Sequence, residues 1–224
     1  FNNYRLRCDG GYLLIDTSYK NDYEKLLRGL DALGVRVSDI KFIFLTHHHD
    51  DHAGLVAQLA GESGARVLAH EKAVVPLGKG ENDPAMEPLN HRVKLFFFIL
   101  KRLVGVSGFS PVILDEDDIV ITGDDDQTLR SIGINGKIIS TPGHTRDSIS
   151  ILLDDGNAFV GDAAMSSPKV AGIKYRPIFV ENMDEVFASW KRMLEEGAKT
   201  IHPFHGKPFP AERLEHYLTR RGTA

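Results

Sequence analysis

The sequence predicts an α/β fold, and three observations carry that reading. Apolar runs of strand length recur along the chain, amphipathic runs of helical period lie between some of them, and metal-capable side chains sit just past the ends of the strand-like runs. No solenoid repeat and no low-complexity linker interrupts the 224 residues, a length that suits one substantial domain or two small ones.

The elements follow in order. Tyr12–Ile15 reads as a strand. The segment Asp22–Leu33 reads as a helix, with Tyr23, Leu26, Leu27, Leu30 and Leu33 at helical spacing, Asn21 or Asp22 as N-cap and Gly34 as stop. Lys41–Leu45 is a second strand, Ala53–Glu62 a second helix with Leu55, Val56 and Leu59 on one face, and Arg66–Ala69 a third strand. Residues 73–112 differ: they hold no clear strand, several Pro and Gly, and the apolar helix-like run Val93–Val106. They read as a helical insertion or lid on a single domain spanning 1–224. Strands resume at Lys137–Ser140, Ile149–Leu153 and Asn157–Val160. A helix over Asp184–Glu196 turns Val186, Phe187, Trp190, Met193 and Leu194 inward and stops at Gly197. A short strand-like piece lies near Thr200–His202, and a last helix follows Pro210.

Composition narrows the function classes. Hydrophobic residues make up 42% of the chain, enough for a sizeable core, and a formal charge of −4 provides no attraction for nucleic acid or an anionic membrane. The lone Cys8 forbids an internal disulfide, which points to a reducing, cytoplasmic setting; Phe1 is not a natural start, so a targeting segment upstream is not excluded. The longest apolar run, Leu95–Leu100, is broken by Lys101 and Arg102 and is too short to span a bilayer. That run reads as the core of a lid helix, as a homodimer contact, or as an acyl pocket or membrane-touching face.

The chemistry concentrates in Thr46-His47-His48-His49-Asp50-Asp51-His52-Ala53-Gly54, an H-x-H-x-D-H pattern directly after a strand. Imidazole and carboxylate donors suit zinc, iron or manganese. Three more donors stand in suggestive settings: His144 in Thr-Pro-Gly-His-Thr, Asp162 in Val-Gly-Asp-Ala and His205 in Pro-Phe-His-Gly. Seven donors exceed the four that one structural zinc takes and are about right for two ions. Without Cys-x-x-Cys, such a site is built from nitrogen and oxygen. His48 and Asp50 fall at the variable positions, outside coordination, and His70, His91, His202 and His216 read as surface or structural residues.

These residues resemble the metallo-β-lactamase superfamily of metallohydrolases. The match runs through Gly-Tyr-Leu-Leu-Ile-Asp-Thr (11–17), the H-x-H-x-D-H block, Pro-Gly-His (142–144), Gly-Asp (161–162) and His-Gly (205–206), in the family's order. The resemblance implies a four-layer αβ/βα sandwich with the site at one sheet edge. It implies that His47, His49 and His144 hold one metal, that Asp51, His52 and His205 hold a second, and that Asp162 bridges both. Asp16 would orient a ligand from beneath. The implied cofactor is two Zn2+, with Fe or Mn as other metals the donors accept. Water between two cations loses a proton readily, since one zinc lowers its pKa from about 15.7 to about 7, and the hydroxide attacks the substrate. Asp51 is also the candidate proton relay.

Asp162 separates the branches. It points to the glyoxalase II and lactonase-like branch rather than a true β-lactamase, and so to hydrolysis of a small ester, thioester or lactone. The chain ends soon after His205, without the helical C-terminal domain of glyoxalase II, which argues against a glutathione substrate. Neither a basic arm nor an inserted second domain is present, which disfavours nucleases. Tyr175 and Phe97 are the candidate substrate contacts, with Phe96, Phe98, Ile99 and Leu103 beside Phe97. Two other readings remain: a phosphodiesterase, and a mononuclear iron, persulfide dioxygenase-like oxidoreductase using only His47, His144 and Asp162.

Overall fold

An Asp-Gly pair between strand-forming runs favours a two-residue hairpin, because glycine tolerates the positive φ that the turn demands. Asp9–Gly10 closes such a hairpin between the strands Tyr4–Cys8 and Gly11–Ile15, with Cys8 opposite Gly11. The computed structural model describes residues 1–82, 87–88, 91, 108–166 and 174–222. The chain divides into two units, one of Asn3–Asp83 and Gly108–Ile138, the other of Phe1–Asn2, Pro84–Ser107 and Ile139–Ala224.

The first unit holds a five-stranded sheet in the order Tyr4–Cys8, Gly11–Ile15, Ile40–Phe44, Arg66–His70, Ile119–Ile121. Beyond the hairpin every pairing is parallel, with Leu13 beside Phe42, Ile43 beside Val67 and Leu68 beside Ile119. Parallel neighbours need crossovers, and helices supply them. Tyr23–Asp31 buries Leu26 and Leu30, and Val56–Ser63 buries Val56 and Leu59, in one core with Ile43, Leu45 and Val67. Each large side chain so buried contributes about 1.5–3 kcal/mol.

A further sheet runs in the order Phe209–Pro210, Thr200–Pro203, Asn157–Gly161, Ile149–Leu153, Gly136–Ser140, and all but the start of its last strand belongs to the second unit. Thr200–Pro203 runs parallel to Asn157–Gly161, joined through the helix Met183–Glu195. That helix buries Val186, Trp190 and Met193 against Val160, Ile201 and Leu214. Leu214 belongs to the terminal helix Glu212–Gly222. A mixed α/β structure with two five-stranded sheets among the described residues is therefore what the alternation of runs announced.

Four sequence expectations shift. The first helix ends at Asp31, and Leu33 is left 57% exposed, because Val35 N–H closes back on Leu30 O over Gly34. Asp22 stands at its N-cap without a side-chain bond. The expected helix Ala53–Glu62 is two pieces, Asp50–Ala53 and Val56–Ser63. Within 73–112, where no strand was expected, Glu87–Pro88 pairs with Phe179–Val180, and a short helix covers Val74–Lys79. Phe109 and Val112, at the end of the proposed lid, are buried in the core of the first unit, and most of its middle, including Phe97 and Leu95–Leu100, lies outside the described residues. Among the described residues no helix is long and apolar enough to cross a membrane.

Candidate functional site

In the first unit the donors gather around a buried carboxylate. Asp16 leaves the end of its strand at φ 57°, a left-handed conformation that aspartate tolerates better than most residues. Asn3 fastens this bend: its amide donates to Asp16 O at 2.9 Å, and its side-chain oxygen accepts from Ser18 Oγ at 2.9 Å. Asp16 is 1% exposed and accepts three bonds of about one length, from Thr46 N–H at 2.9 Å, Thr46 Oγ1 at 2.9 Å and His52 Nδ1 at 2.9 Å.

Those bonds decide tautomers. An ionised carboxylate only accepts, so His52 carries its proton on Nδ1 and turns the lone pair of Nε2 outward as a ligand. The Thr46 hydroxyl spends its single proton on Asp16, so His47 Nδ1, at 3.1 Å, must donate to it, and His47 Nε2 is likewise the lone-pair nitrogen. Nε2 of His47 lies 2.9 Å from Nδ1 of His49.

The broken helix places Asp51 and His52. Thr17 N–H and Thr17 Oγ1 both donate to His52 O at 2.7 Å, and Leu55 N–H donates to Thr17 Oγ1 at 3.1 Å. The carbonyl and amide that would continue the helix are thereby engaged elsewhere. Gly54 permits the approach, because a Cβ there would lie 2.6 Å from Ser18 O and Lys20 N.

In the second unit His144 stands on the Pro-Gly-His turn. Its Nδ1 donates to Phe179 O at 2.7 Å, and since a carbonyl only accepts, Nε2 again holds the lone pair. Gly143 has φ 129°, and a Cβ there would meet Val186 N at 2.3 Å. Asp162 follows the strand Asn157–Gly161, and His205 follows Thr200–Pro203. The His205 loop is tied down by Asn2, whose N–H donates to Phe204 O at 2.9 Å and whose amide donates to Pro203 O at 3.1 Å.

The spacings suit a cation. Asp162 Oδ2 lies 3.4 Å from His205 Nε2 and 3.8 Å from His144 Nε2, and Asp51 Oδ1 lies 3.7 Å from His52 Nε2. These separations exceed a good hydrogen bond. Ligand atoms at about 2.0–2.2 Å from a tetrahedral ion stand about 3.3–3.6 Å from one another. Each of the seven donors belongs to a group of histidines, or of histidines and an aspartate, that could hold a metal ion. The donors are all nitrogen and oxygen, buried or half-buried, and the rings of His47, His52 and His144 have their tautomers set by hydroxyl, carboxylate and carbonyl partners, so they fit a divalent metal.

Other candidates have partners of their own. Asp50 exchanges hydrogen bonds with the Asn82 side chain, and His48 is buried against the His49 ring at 5.1 Å. His70 caps the turn Glu71–Ala73, accepting from Lys72 N–H at 3.0 Å. His202 stacks on Phe159 and contacts Asn157 Oδ1 at 2.8 Å; burial pushes its pKa below the ordinary value, with Asp155 opposing. His91 and His216 are exposed. Tyr175 packs on Phe209 at 4.5 Å, and its hydroxyl accepts from Arg213 Nη1 at 3.1 Å. Sequence reasoning missed Thr46, Asn3, Ser189 and Trp190 as supports; only Thr46, adjoining His47, gave a signal.

The model of the metallo-beta-lactamase superfamily matches residues 2–205. The chain belongs to the metallo-beta-lactamase superfamily. A beta-lactamase-like protein 2 homolog from Drosophila melanogaster is 24% identical over 228 residues, covering 98% of this chain and 64% of that protein. A hydroxyacylglutathione hydrolase from Albidiferax ferrireducens is 29% identical over 150 residues, 65% of this chain and 42% of that enzyme. The chain thus spans less than two thirds of these relatives' length. A metallo-beta-lactamase family protein from Thermus thermophilus shares the fold at a TM-score of 0.68 and 23% identity, over 99% of this chain and 74% of that one.

Proposed function

We propose that the chain is a dinuclear, zinc-dependent hydrolase of a small ester, thioester or lactone. His47, His49 and His144 hold one cation, Asp51, His52 and His205 the other, and Asp162 takes both. The observation that carries this reading is the donor chemistry: His47, His52 and His144 each commit Nδ1 to a hydroxyl, carboxylate or carbonyl and so keep Nε2 as a lone-pair nitrogen. A thioester is favoured within the substrate class by relatives that are named hydroxyacylglutathione hydrolase.

Bound there, the cations supply Lewis-acid polarisation of the scissile carbonyl and a lowered pKa for water. The residues do the rest. Asp16 keeps His52 in one tautomer and one orientation through the Nδ1–H bond. Phe179 O does the same for His144. Asp51, at the start of its helix, takes a proton from the attacking water on a carboxylate oxygen and hands it to the departing oxygen or sulfur. No Ser or Cys nucleophile is required.

The test is metal analysis of the purified chain together with a panel of thioesters, lactones and phosphodiesters. Two zinc ions per chain with thioester or lactone turnover, abolished in His47→Ala, is the expected result. Zinc-loaded protein inert on every ester, thioester and lactone overturns the hydrolase. One iron per chain with oxygen uptake on a persulfide replaces it with the dioxygenase, and turnover of phosphodiesters alone replaces it with a phosphodiesterase.

A further inference from the structure

Two adjacent residues of the helix Met183–Glu195 reach two different donor loops. Ser189 Oγ donates to Pro142 O at 2.8 Å, two residues before His144. Trp190 Nε1 donates to Ala163 O at 2.7 Å, the carbonyl next to Asp162. Both side chains are buried, Ser189 at 4% exposure and Trp190 at 0%. The start of the same helix grips the His144 turn again. Asn182 N–H donates to Gly143 O at 2.9 Å, Glu181 N–H to His144 O at 3.1 Å, and Gly143 leaves no room for a Cβ beside Val186. Asn182 then caps the helix through its side-chain oxygen, which accepts from Asp184 and Glu185 N–H.

We infer that Ser189 and Trp190 are positioning residues for the metal centre: through Pro142 O and Ala163 O, one rigid helix sets the separation of His144 and Asp162. The inference rests on the metal assignment proposed above. Its physical basis is that an indole N–H and a hydroxyl buried in an apolar core find few other acceptors, so the two carbonyls are held in fixed places. A helix turn is stiff, and the fixed spacing of neighbouring residues 189 and 190 passes to the two loops. Donors preset in this way bind a cation without first ordering, and support of this kind is typically worth about 10- to 100-fold in metal affinity. Nothing in the composition of the helix would reveal this role, since a Trp on an apolar face reads as core.

The test compares Trp190→Phe, Ser189→Ala and Ser189→Thr with Met193→Val, a core change on the same helix that removes no hydrogen bond. Zinc affinity is read by chelator competition, the ligand field by the visible absorption of the cobalt-substituted protein, and folding by the melting temperature of the metal-free chain. The expected result is about tenfold or greater loss of affinity for at least one ion in Trp190→Phe and Ser189→Ala, with an altered cobalt spectrum. Ser189→Thr, which keeps the hydroxyl, restores both, and Met193→Val lowers the melting temperature with affinity unchanged. Equal affinity in Trp190→Phe, Ser189→Ala and Met193→Val overturns the inference while the metal assignment stands. A wild-type chain that binds no zinc or cobalt overturns both. Should Trp190→Phe not fold, Ser189→Ala decides, because it deletes one oxygen atom from the core.

Discussion

Asp16 shows how one buried carboxylate can orient its neighbours. Its carboxylate gathers Thr46 N–H, Thr46 Oγ1 and His52 Nδ1, and through them sets which nitrogen of His47 and His52 faces outward. Asp16→Asn keeps the shape but replaces an acceptor pair with one acceptor and one donor. Its zinc affinity, measured by competition with a chelator, should fall about 10- to 100-fold with the fold retained by circular dichroism. His202 makes a different prediction. Burial holds its folded pKa below 6.5, so the unfolded chain takes up the proton first. The contribution is complete above pH 6.5, declines as the pH drops below it, and levels off under the lowered folded value. Chemical denaturation of the metal-free chain across that window should therefore show stability falling with acidity, with a shallower slope in His202→Gln.

Segments, not only side chains, are shaped for the site. The helix that a continuous 3.6-residue pattern forecasts over Ala53–Glu62 is broken because Thr17 captures His52 O and Leu55 N–H, and the break fixes the direction of Asp51 and His52. The Pro-Gly-His turn is shaped by contact with the helix that follows it in space. Gly143→Ala demands an L side chain at φ 129° and a Cβ 2.3 Å from Val186 N. It should cost at least about 2 kcal/mol of stability, read as a lowered denaturation midpoint, and should weaken metal binding with it.

Across the chain, the proposed donors come from positions far apart in sequence, from His47 to His205, so a cation that binds them binds only folded protein. At a hundredfold excess over its Kd such a cation adds about 2.7 kcal/mol. For a chain of this size that raises the melting temperature by roughly 5–10 °C, and chelation should reverse the rise in calorimetry. A melting temperature indifferent to chelator and zinc would contradict the proposed centre.

The alternation of apolar runs and amphipathic helices sufficed to announce an α/β fold, because periodicity is local and core faces must repeat with it. The metal-capable residues were legible too, since imidazole and carboxylate chemistry belongs to the side chain wherever it sits. Their supports were not. Thr46 on Asp16, Asn3 on Asp16 O, Ser189 on Pro142 O and Trp190 on Ala163 O join residues up to 47 positions apart. Most of these bonds end on backbone carbonyls, which every residue carries and no residue type marks. Only the folded path of the chain chooses which acceptor a buried donor meets, and that choice sets the tautomers and places the loops on which the proposed chemistry depends.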